Sequence, residues 1–375
     1  MRNVESSGNG EDGIDVLVDD DDGDVVLSLG DVVLRNNGED GLFAAIDTDD
    51  TSAVTLKNVI ASDNGRYGAT FQDSSAGAST YTIDESQFSN NGDADGLRIR
   101  RAEAGGVPGA LTVKIDETTA NDNGDGDLGD HGMRVFFDRG GGSASLEVEV
   151  TESVANNNDG DGISVETANG DGTLSAVVQD VTTVDNGAQG VQIIQRDGGA
   201  ATVGIDRTVA NRNGLDGIHV RGDNGNDDLS VVLVDVEARD NGSGGAAGEN
   251  IVVREDGDGA LDATLANVAT SHADAGDNVR VVENDAGDAR VSLTNVTTTN
   301  AGDHGVIVRE ADAGALTLLL AAPIAASDNG IDGVRVVSDS QVLLAKGTFA
   351  EVRGTNNGGF LVNLPGELAI PNDAA

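Results

Sequence analysis

Apolar and polar residues alternate in short segments that return at a regular distance along the chain. Two apolar residues separated by one residue directly follow a Gly or an Asn, as in Ile163/Val165 and Ile218/Val220. Alternation with a period of two predicts a short β-strand with one buried face. The residues that precede these pairs, here called the anchors, are Gly13, Gly41, Gly68, Gly96, Gly132, Gly162, Gly190, Gly217, Asn250, Asn278, Gly305, Gly333 and Gly359.

Each anchor begins a repeat of about 28 residues with three predicted strands. A second alternating run follows a polar stretch, as at residues 54–56 and 203–205, and a third apolar segment precedes an Asn-Gly turn. One such repeat cannot bury its apolar face alone, whereas stacked repeats bury a continuous column. The pattern predicts an all-β solenoid of about 13 coils over residues 1–364, followed by a C-terminal tail at 365–375. A β-propeller is disfavoured because its repeat has four strands and about 40 residues.

Two columns of residues recur at fixed positions in the repeat, outside the predicted strands. Because Gly and Asn tolerate positive φ, the anchors are interpreted as turn positions in the left-handed region. An Asn or Asp also follows the second strand in most coils, here called the post-strand column: Asn58, Asp84, Asp116, Asp180, Asp206, Asp235, Asn267 and Asn295.

From Gly13 to about Val362, the repeat and its post-strand column resemble the right-handed parallel β-helix superfamily, the pectate-lyase-like fold. The resemblance implies a single-stranded right-handed parallel β-helix. It also implies that the post-strand column is the family's asparagine ladder, in which stacked side chains hydrogen-bond from coil to coil. It implies no particular activity, because lyases, hydrolases, epimerases, adhesins and phage spikes share the fold.

Composition excludes several classes of protein. The chain of 375 residues has no Cys, which excludes disulfides, zinc fingers and a cysteine nucleophile. No apolar run of about 18 residues could span a membrane. The 66 acidic and 22 basic residues give a net charge of -44, which argues against a nucleic-acid partner. Self-repulsion of this size needs screening, so we expect a protein of a salt-rich, halophilic setting.

Acidic residues also occupy the position before most anchors. This pre-anchor column comprises Asp12, Asp40, Asp95, Asp161, Asp216, Glu249, Asp277 and Asp332. It is interpreted either as a row of calcium sites or as support for the Asp-Gly turn. The long turn before Gly132 also resembles the start of an EF-hand loop, although Gly132 replaces the acid at its twelfth position. The resulting candidate Ca²⁺ ligands are Asn121, Asn123, Asp125, Asp127 and Asp130.

Basic residues recur two or four positions after the anchors, where strand alternation points side chains away from the core. This basic face comprises Arg98, Arg100, Arg134, His219, Arg221, Arg254, Arg280, Arg309 and Arg335. One hypothesis is a stripe that binds an anionic polysaccharide or surface glycan through bidentate contacts. The alternative is neutralisation through ion pairs between coils, by neighbouring acids such as Glu255, Glu283 and Glu310 or by the pre-anchor column.

Enzymatic activity has a smaller set of candidates. In the enzymes that the chain resembles, substrate lies on the first sheet and an Arg or Lys acts as base beside acidic calcium ligands. That resemblance makes Asp95, Arg98, His131 and Arg134 the catalytic candidates. His131 and His304 both lie in Gly-Asp-His-Gly sequences that occupy the ordinary turn before an anchor, which favours a structural role.

The predicted function is a non-catalytic, secreted or cell-surface β-solenoid: a stalk, adhesin-like or glycan-contacting module. No signal peptide or capping helix precedes the first repeat, so we expect a segment of a larger protein that packs end to end with an adjoining solenoid or domain. We expect no membrane insertion. The alternative is a polysaccharide lyase or another carbohydrate-active enzyme that acts on an anionic polysaccharide.

Overall fold

The computed structural model describes residues 1–20, 23–102, 108–126, 129–223, 225, 227–243, 248–312, 314–339, 342–344, 352–364 and 369–370. These residues form β-strands and turns, and no helix among them could cross a membrane. The prediction of an all-β solenoid is confirmed: parallel coils of about 28 residues stack in about 12 turns. The chain divides into two compact units, Met1–Ala188 with Gln195–Gly199 (unit 1) and Gln189–Ile194 with Ala200–Ala375 (unit 2).

Unit 1 contains fourteen complete strands. They are β1 Arg2–Ser7, β2 Ile14–Asp20, β3 Val25–Arg35, β4 Leu42–Thr48, β5 Ser52–Ser62, β6 Ala69–Asp73, β7 Ser79–Asp84, β8 Leu97–Ala102, β9 Leu111–Asp116, β10 Met133–Asp138, β11 Leu146–Thr151, β12 Ile163–Ala168, β13 Leu174–Gln179 and β14 Thr182–Val184. Strand β15, Val191–Arg196, contributes residues to both units.

Unit 2 contains the remaining described strands. They are β16 Ala201–Asp206, β17 Val209–Asn211, β18 Ile218–Asp223, β19 Leu229–Val234, β20 Glu237–Arg239, β21 Ile251–Asp256, β22 Leu261–Ser271, β23 Val279–Glu283, β24 Ala289–Thr299, β25 Val306–Glu310, β26 Leu316–Ser327, β27 Val334–Ser338, β28 Val342–Leu344, β29 Val352–Arg353, β30 Val362–Asn363 and β31 Ala369–Ile370.

Strands that follow the anchors pair in parallel within each unit and form the anchor sheet. In unit 1 this sheet runs through β2, β4, β6, β8, β10 and β12, and in unit 2 through β18, β21, β23, β25, β27 and β30. The second strands of the coils pair in the same way, for example β5 with β7 and β22 with β24. Because each pairing is offset by one coil, equivalent positions of successive coils lie side by side.

The region predicted as a C-terminal tail contains β31, which pairs antiparallel with β30. Pro365 and Pro371, in the same region, lie outside the described residues.

The core consists of the inward residues of these sheets. The predicted apolar pairs Ile163/Val165 and Ile218/Val220 are all at most 1% exposed. Burial of such stacked aliphatic side chains stabilises the coils by about 25 cal/mol for each Å² of apolar surface removed from water.

The anchor glycines are needed for close approach between coils, which corrects the prediction of positive φ. None of the described anchor glycines has φ in the left-handed region. A Cβ on Gly41 would lie 2.6 Å from the carbonyl oxygen of Gly68 and 2.7 Å from Nδ2 of Asn64, both in the next coil. The left-handed residues lie earlier in the turn, as at Asn36 (φ 54°) and Asp63 (φ 60°).

A buried asparagine ladder occupies a different column from the predicted one. In unit 1 each Nδ2–H group donates to Oδ1 of the next member at 2.8–3.0 Å along Asn9, Asn37, Asn64, Asn91, Asn123, Asn158 and Asn186. The post-strand column also makes bonds between coils, as from Asn58 Nδ2 to Asp31 Oδ1 at 2.8 Å, but these are exposed. The interior ladder is therefore formed by the asparagines of the turns, not by the post-strand column.

In unit 2 the ladder passes from the usual turn position to two anchors. Asn241 Nδ2 donates to Oδ1 of Asn250 at 2.7 Å, and Asn250 Nδ2 donates to Oδ1 of Asn278 at 2.6 Å. The usual ladder positions of the following coils hold Ala273 and Ala301. An anchor side chain and a ladder side chain of the next coil claim the same space, as the contact at Gly41 indicates, so alanine leaves room for the anchor amides.

Candidate functional site

The pre-anchor acids form a second ladder, between side chain and backbone. Asp12 Oδ1 accepts the backbone N–H of Asp40 at 2.9 Å, and Asp40 Oδ1 accepts that of Tyr67 at 3.2 Å. In unit 2 Asp216 Oδ1 accepts the N–H of Glu249 at 2.8 Å. These acids therefore support the turns across coils, and burial raises the pKa of Asp40 to about 6.

Two histidines replace acids in this column and keep the same bond. His131 Nδ1 lies 2.9 Å from the backbone nitrogen of Asp161, and His304 Nδ1 lies 3.1 Å from that of Asp332. An amide nitrogen can only donate, so Nδ1 is the acceptor in both of these bonds. Burial lowers the pKa of His304, which favours its neutral ring. The Gly-Asp-His-Gly sequences are therefore turn-supporting elements.

The predicted catalytic residues occupy adjoining coils, where the carboxyl group of Asp95 is engaged by its neighbours. Asp95 Oδ1 accepts the backbone N–H of His131 at 2.7 Å, and its side chain is only 3% exposed. Its Oδ2 lies 4.0 Å from Arg98 Nε, and Arg98 Nη1 also donates to the hydroxyl of Tyr67. Burial raises the pKa of Asp95, while His131, Arg134 and Arg98 oppose the rise. The carboxyl group acts here as a ladder acceptor.

A candidate cation site lies in the long turn before Gly132. Asp93, Asp125 and Asp130 each place one carboxylate oxygen within 4.8 Å of the others. Asp93 comes from the preceding turn and was not among the predicted ligands, because the period alone does not fix the path of the longer turn. Three carboxylates from two turns are hard oxygen donors that fit Ca²⁺.

The other predicted calcium ligands lie elsewhere. Asn123 belongs to the buried ladder, where its Oδ1 accepts Asn91 Nδ2 at 3.0 Å, so its side chain does not join the cluster. Asn121 Oδ1 accepts the backbone N–H of Asn156 at 2.8 Å. Asp127 lies outside the described residues. The structure thus brings together two of the five predicted ligands, Asp125 and Asp130, with Asp93.

The predicted basic residues lie at outward positions of the anchor sheet. In unit 1 Arg134 Nη2 is 3.9 Å from Glu166 Oε2, and its guanidinium lies 6.0 Å from the ring centroid of Phe136. Arg100 is exposed and has no ion pair among the described residues.

In unit 2 several members of the basic face are paired with acids. His219 Nδ1 lies 2.7 Å from Asp216 Oδ2. Arg221 Nε and Arg254 Nε lie 2.7 and 2.6 Å from the carboxylate oxygens of Asp256. The neutralisation hypothesis therefore describes these residues.

Further along the same sheet the pairing weakens. Arg280 Nη1 lies 3.5 Å from Asp277 Oδ2 and 3.7 Å from Glu249 Oε1. Arg309 is exposed, and Arg335 Nη1 lies 3.3 Å from His304 Nε2. Neither Arg309 nor Arg335 has a carboxylate within 4.0 Å among the described residues.

The glutamates expected to neutralise this face are in the interior instead. Glu255, Glu283 and Glu310 are 1%, 0% and 0% exposed. The sequence does indicate this interior position, because the fifth residue after an anchor faces the same side of the strand as the first and third.

No known protein family, curated protein or solved structure matches the chain.

Proposed function

We propose that this chain is a non-catalytic, extracellular or cell-surface module of the right-handed, pectate-lyase-like β-helix superfamily, which contacts an anionic glycan through its anchor sheet. The observation that carries the proposal is the pair Arg309 and Arg335 on neighbouring strands β25 and β27, both without a carboxylate partner among the described residues. Guanidinium groups bind carboxylates and sulfates through paired hydrogen bonds.

The register of unit 2 spaces its arginines regularly. Arg280 and Arg335 occupy the same column two coils apart, with Ile307 between them. Arg309 lies in the neighbouring column between Val282 and Val337. Strands about 4.8 Å apart place Arg280 and Arg335 about 10 Å apart, a spacing that suits repeated acidic groups of an extended polymer. The residues between these arginines on the sheet are aliphatic. The guanidinium groups are therefore the hydrogen-bond donors that this part of the anchor sheet offers to a polymer.

Replacing both Arg309 and Arg335 with glutamate is expected to abolish retention of the protein on an immobilised polyuronate. The variant removes two cations and places two anions opposite the polymer carboxylates. The measurement is elution from a polyuronate column in moderate salt, which screens the long-range repulsion due to the net charge of -44. Arg239→Glu/Arg290→Glu makes the same change of charge away from the anchor sheet, on β20 and β24, and is expected to remain bound. Equal elution of both double variants contradicts the proposal.

We also propose that Asp93, Asp125 and Asp130 bind Ca²⁺ and hold the long turn of unit 1 against the preceding turn. The double variant Asp93→Asn/Asp125→Asn is expected to weaken calcium binding at least about tenfold, or about 1.4 kcal/mol, because it removes two of three charged ligands. Isothermal titration calorimetry measures the change. Asp122→Asn, in the same turn but outside the cluster, is expected to bind like the unmodified chain. Unchanged affinity in the double variant rejects the site.

The alternative is a polysaccharide lyase that uses the region of Asp95, Arg98, His131 and Arg134, which the fold brings onto adjoining coils. Incubation with uronate polymers and calcium separates the two functions. Ultraviolet-absorbing unsaturated products that disappear in Arg134→Ala establish the lyase and overturn the non-catalytic proposal.

A further inference from the structure

Three glutamates are stacked inside unit 2, each at the fifth position after its anchor. Glu255 on β21 lies beside Glu283 on β23, which in turn lies beside Glu310 on β25. Adjacent parallel strands are about 4.8 Å apart, so the three carboxyl groups are near neighbours. Each of these side chains is at most 1% exposed. Carboxyl groups are rarely so fully buried without a compensating partner.

The glutamates at the two ends of the stack each accept a hydrogen bond. Gly222 lies beside Glu255 in the register, and the backbone N–H of Gly257 donates to Glu255 Oε2 at 2.9 Å. At the other end Ser338 Oγ donates to Glu310 Oε2 at 2.6 Å.

The central member, Glu283, is less well satisfied. Both of its carboxyl oxygens are buried without a well-aligned hydrogen-bond donor among the described residues, and the backbone N–H of Gly287 only partly offsets the rise of its pKa. Its strand neighbours on either side are carboxyl groups, which as ions can only accept hydrogen bonds. A proton supplies the missing donor, because an un-ionised carboxyl group can donate to the carboxyl group beside it.

The charges around the stack also favour protons. Neither Glu255 nor Glu283 has a cationic side chain within 4.0 Å among the described residues. Arg254, on the same strand as Glu255, points to the outer face and pairs with Asp256. Burial raises the pKa of both Glu255 and Glu283 to about 8.

Other acids add to this effect of burial. Asp256, Asp285 and Asp258 raise the pKa of Glu255 further. Glu255, Glu310 and Asp285 do the same for Glu283. Glu255 and Glu283 therefore have no neighbouring cation, among the residues that the structure describes, to favour their ionised form.

We infer that Glu255 and Glu283, in the stack that they form with Glu310, hold protons at neutral pH and thereby make the stability of unit 2 depend on pH. In the unfolded chain a glutamate titrates near its ordinary pKa of 4.5. The folded state holds protons that the unfolded state has released, so stability falls as pH rises. The stabilising contribution of these protons is fully present below the unfolded pKa. It is lost progressively as the pH rises to the folded pKa of about 8.

The test compares Glu283→Gln with the unmodified full-length chain in thermal unfolding at pH 5, 7 and 9 and constant ionic strength. We expect the Tm of the unmodified chain to fall by at least about 5 °C from pH 5 to pH 9. Glu283→Gln keeps the shape of the side chain and carries its own donor, so its Tm is expected to fall less and to be the higher of the two at pH 9. Glu237→Gln, at a half-buried glutamate of the same unit outside the stack, makes the same change of charge and is expected to follow the unmodified chain.

Infrared spectroscopy provides a second readout that does not depend on the variant's stability. The carbonyl stretch of un-ionised carboxylic acid is expected in the folded, unmodified chain at pH 7, and it is expected to weaken in Glu283→Gln. Parallel pH profiles of Glu283→Gln and the unmodified chain overturn the inference. So does an absent carboxylic-acid band combined with loss of the pH dependence in millimolar divalent cation, because a metal ion would then occupy the stack.

Discussion

Replacing Asn91 with alanine is expected to lower the free energy of unfolding of unit 1 by about 3 kcal/mol. Asn91 Nδ2 donates to Asn123 Oδ1 at 3.0 Å and to the carbonyl oxygen of Ala61 at 3.2 Å. Its Oδ1 accepts Nδ2 of Asn64 at 3.0 Å and the backbone N–H of Asn64 at 3.3 Å. Because Asn91 is only 1% exposed, water does not replace these bonds. The substitution leaves polar groups unsatisfied in two neighbouring coils.

The urea midpoint of unfolding, followed by circular dichroism, measures this effect. Asn156→Ala is the matched control, because Asn156 is half-buried and its Oδ1 accepts one backbone N–H, that of Val184, at 2.8 Å. The control is expected to cost about 1 kcal/mol. Equal losses in the two variants would show that the buried ladder contributes no more than an ordinary turn bond.

Moving the protein from 1 M sodium chloride into dilute buffer is expected to lower its Tm by about 10 °C. The net charge is -44, and acids of successive coils recur at strand spacing. The Debye length is about 3 Å in 1 M salt and about 30 Å in 0.01 M salt. Repulsion between acids on neighbouring coils, about 4.8 Å apart, is therefore screened in the first solvent and not in the second.

Differential scanning fluorimetry in sodium, potassium and choline chloride tests whether screening is the cause, since screening does not depend on which cation is present. An uncharged osmolyte at matched osmolality is the control for general exclusion from the protein surface, which also stabilises compact states. A Tm that is the same in dilute buffer and in 1 M chloride contradicts the prediction. Stabilisation by one cation alone points to specific binding instead.

The architecture could be predicted from sequence because its signal repeats. Pairs such as Ile163/Val165 recur at one offset after most anchors, and the parallel register places most of them in the interior of their unit. Phe360, after the last predicted anchor, is an exception, because it is 45% exposed. Stacking is also the only way in which a 28-residue unit with a single apolar face can bury that face. The described strands follow this pattern in both units.

The roles of the polar columns were harder to predict, because different physical demands select the same residue. A left-handed turn and a close approach both select glycine, so the sequence does not show that Gly41 meets the carbonyl oxygen of Gly68. Asn58 and Asn64 are equally good ladder candidates by spacing. Only the path of the turn buries Asn64 and leaves Asn58 exposed.

The interior position of Glu283 could have been read from the sequence. It continues the inward row of Val279 and Val281, but a charged residue is ordinarily assigned to the surface. The contribution of Asp93 to the cation cluster could not be read in this way. It depends on how the extra residues before Gly132 fold back on the preceding turn, and the 28-residue period does not specify that path.

The exchange between anchor and ladder has a consequence for how such a chain can diverge. Asn250 and Asn278 are each followed 23 residues later by alanine, Ala273 and Ala301, where other coils have an asparagine. Asparagine at the anchor without the alanine crowds two amide side chains into one space. Alanine at the ladder position without the anchor asparagine leaves that space with no amide. The two positions are therefore constrained to change together, and a duplicated or grafted coil is tolerated only when its boundary keeps both members of the pair.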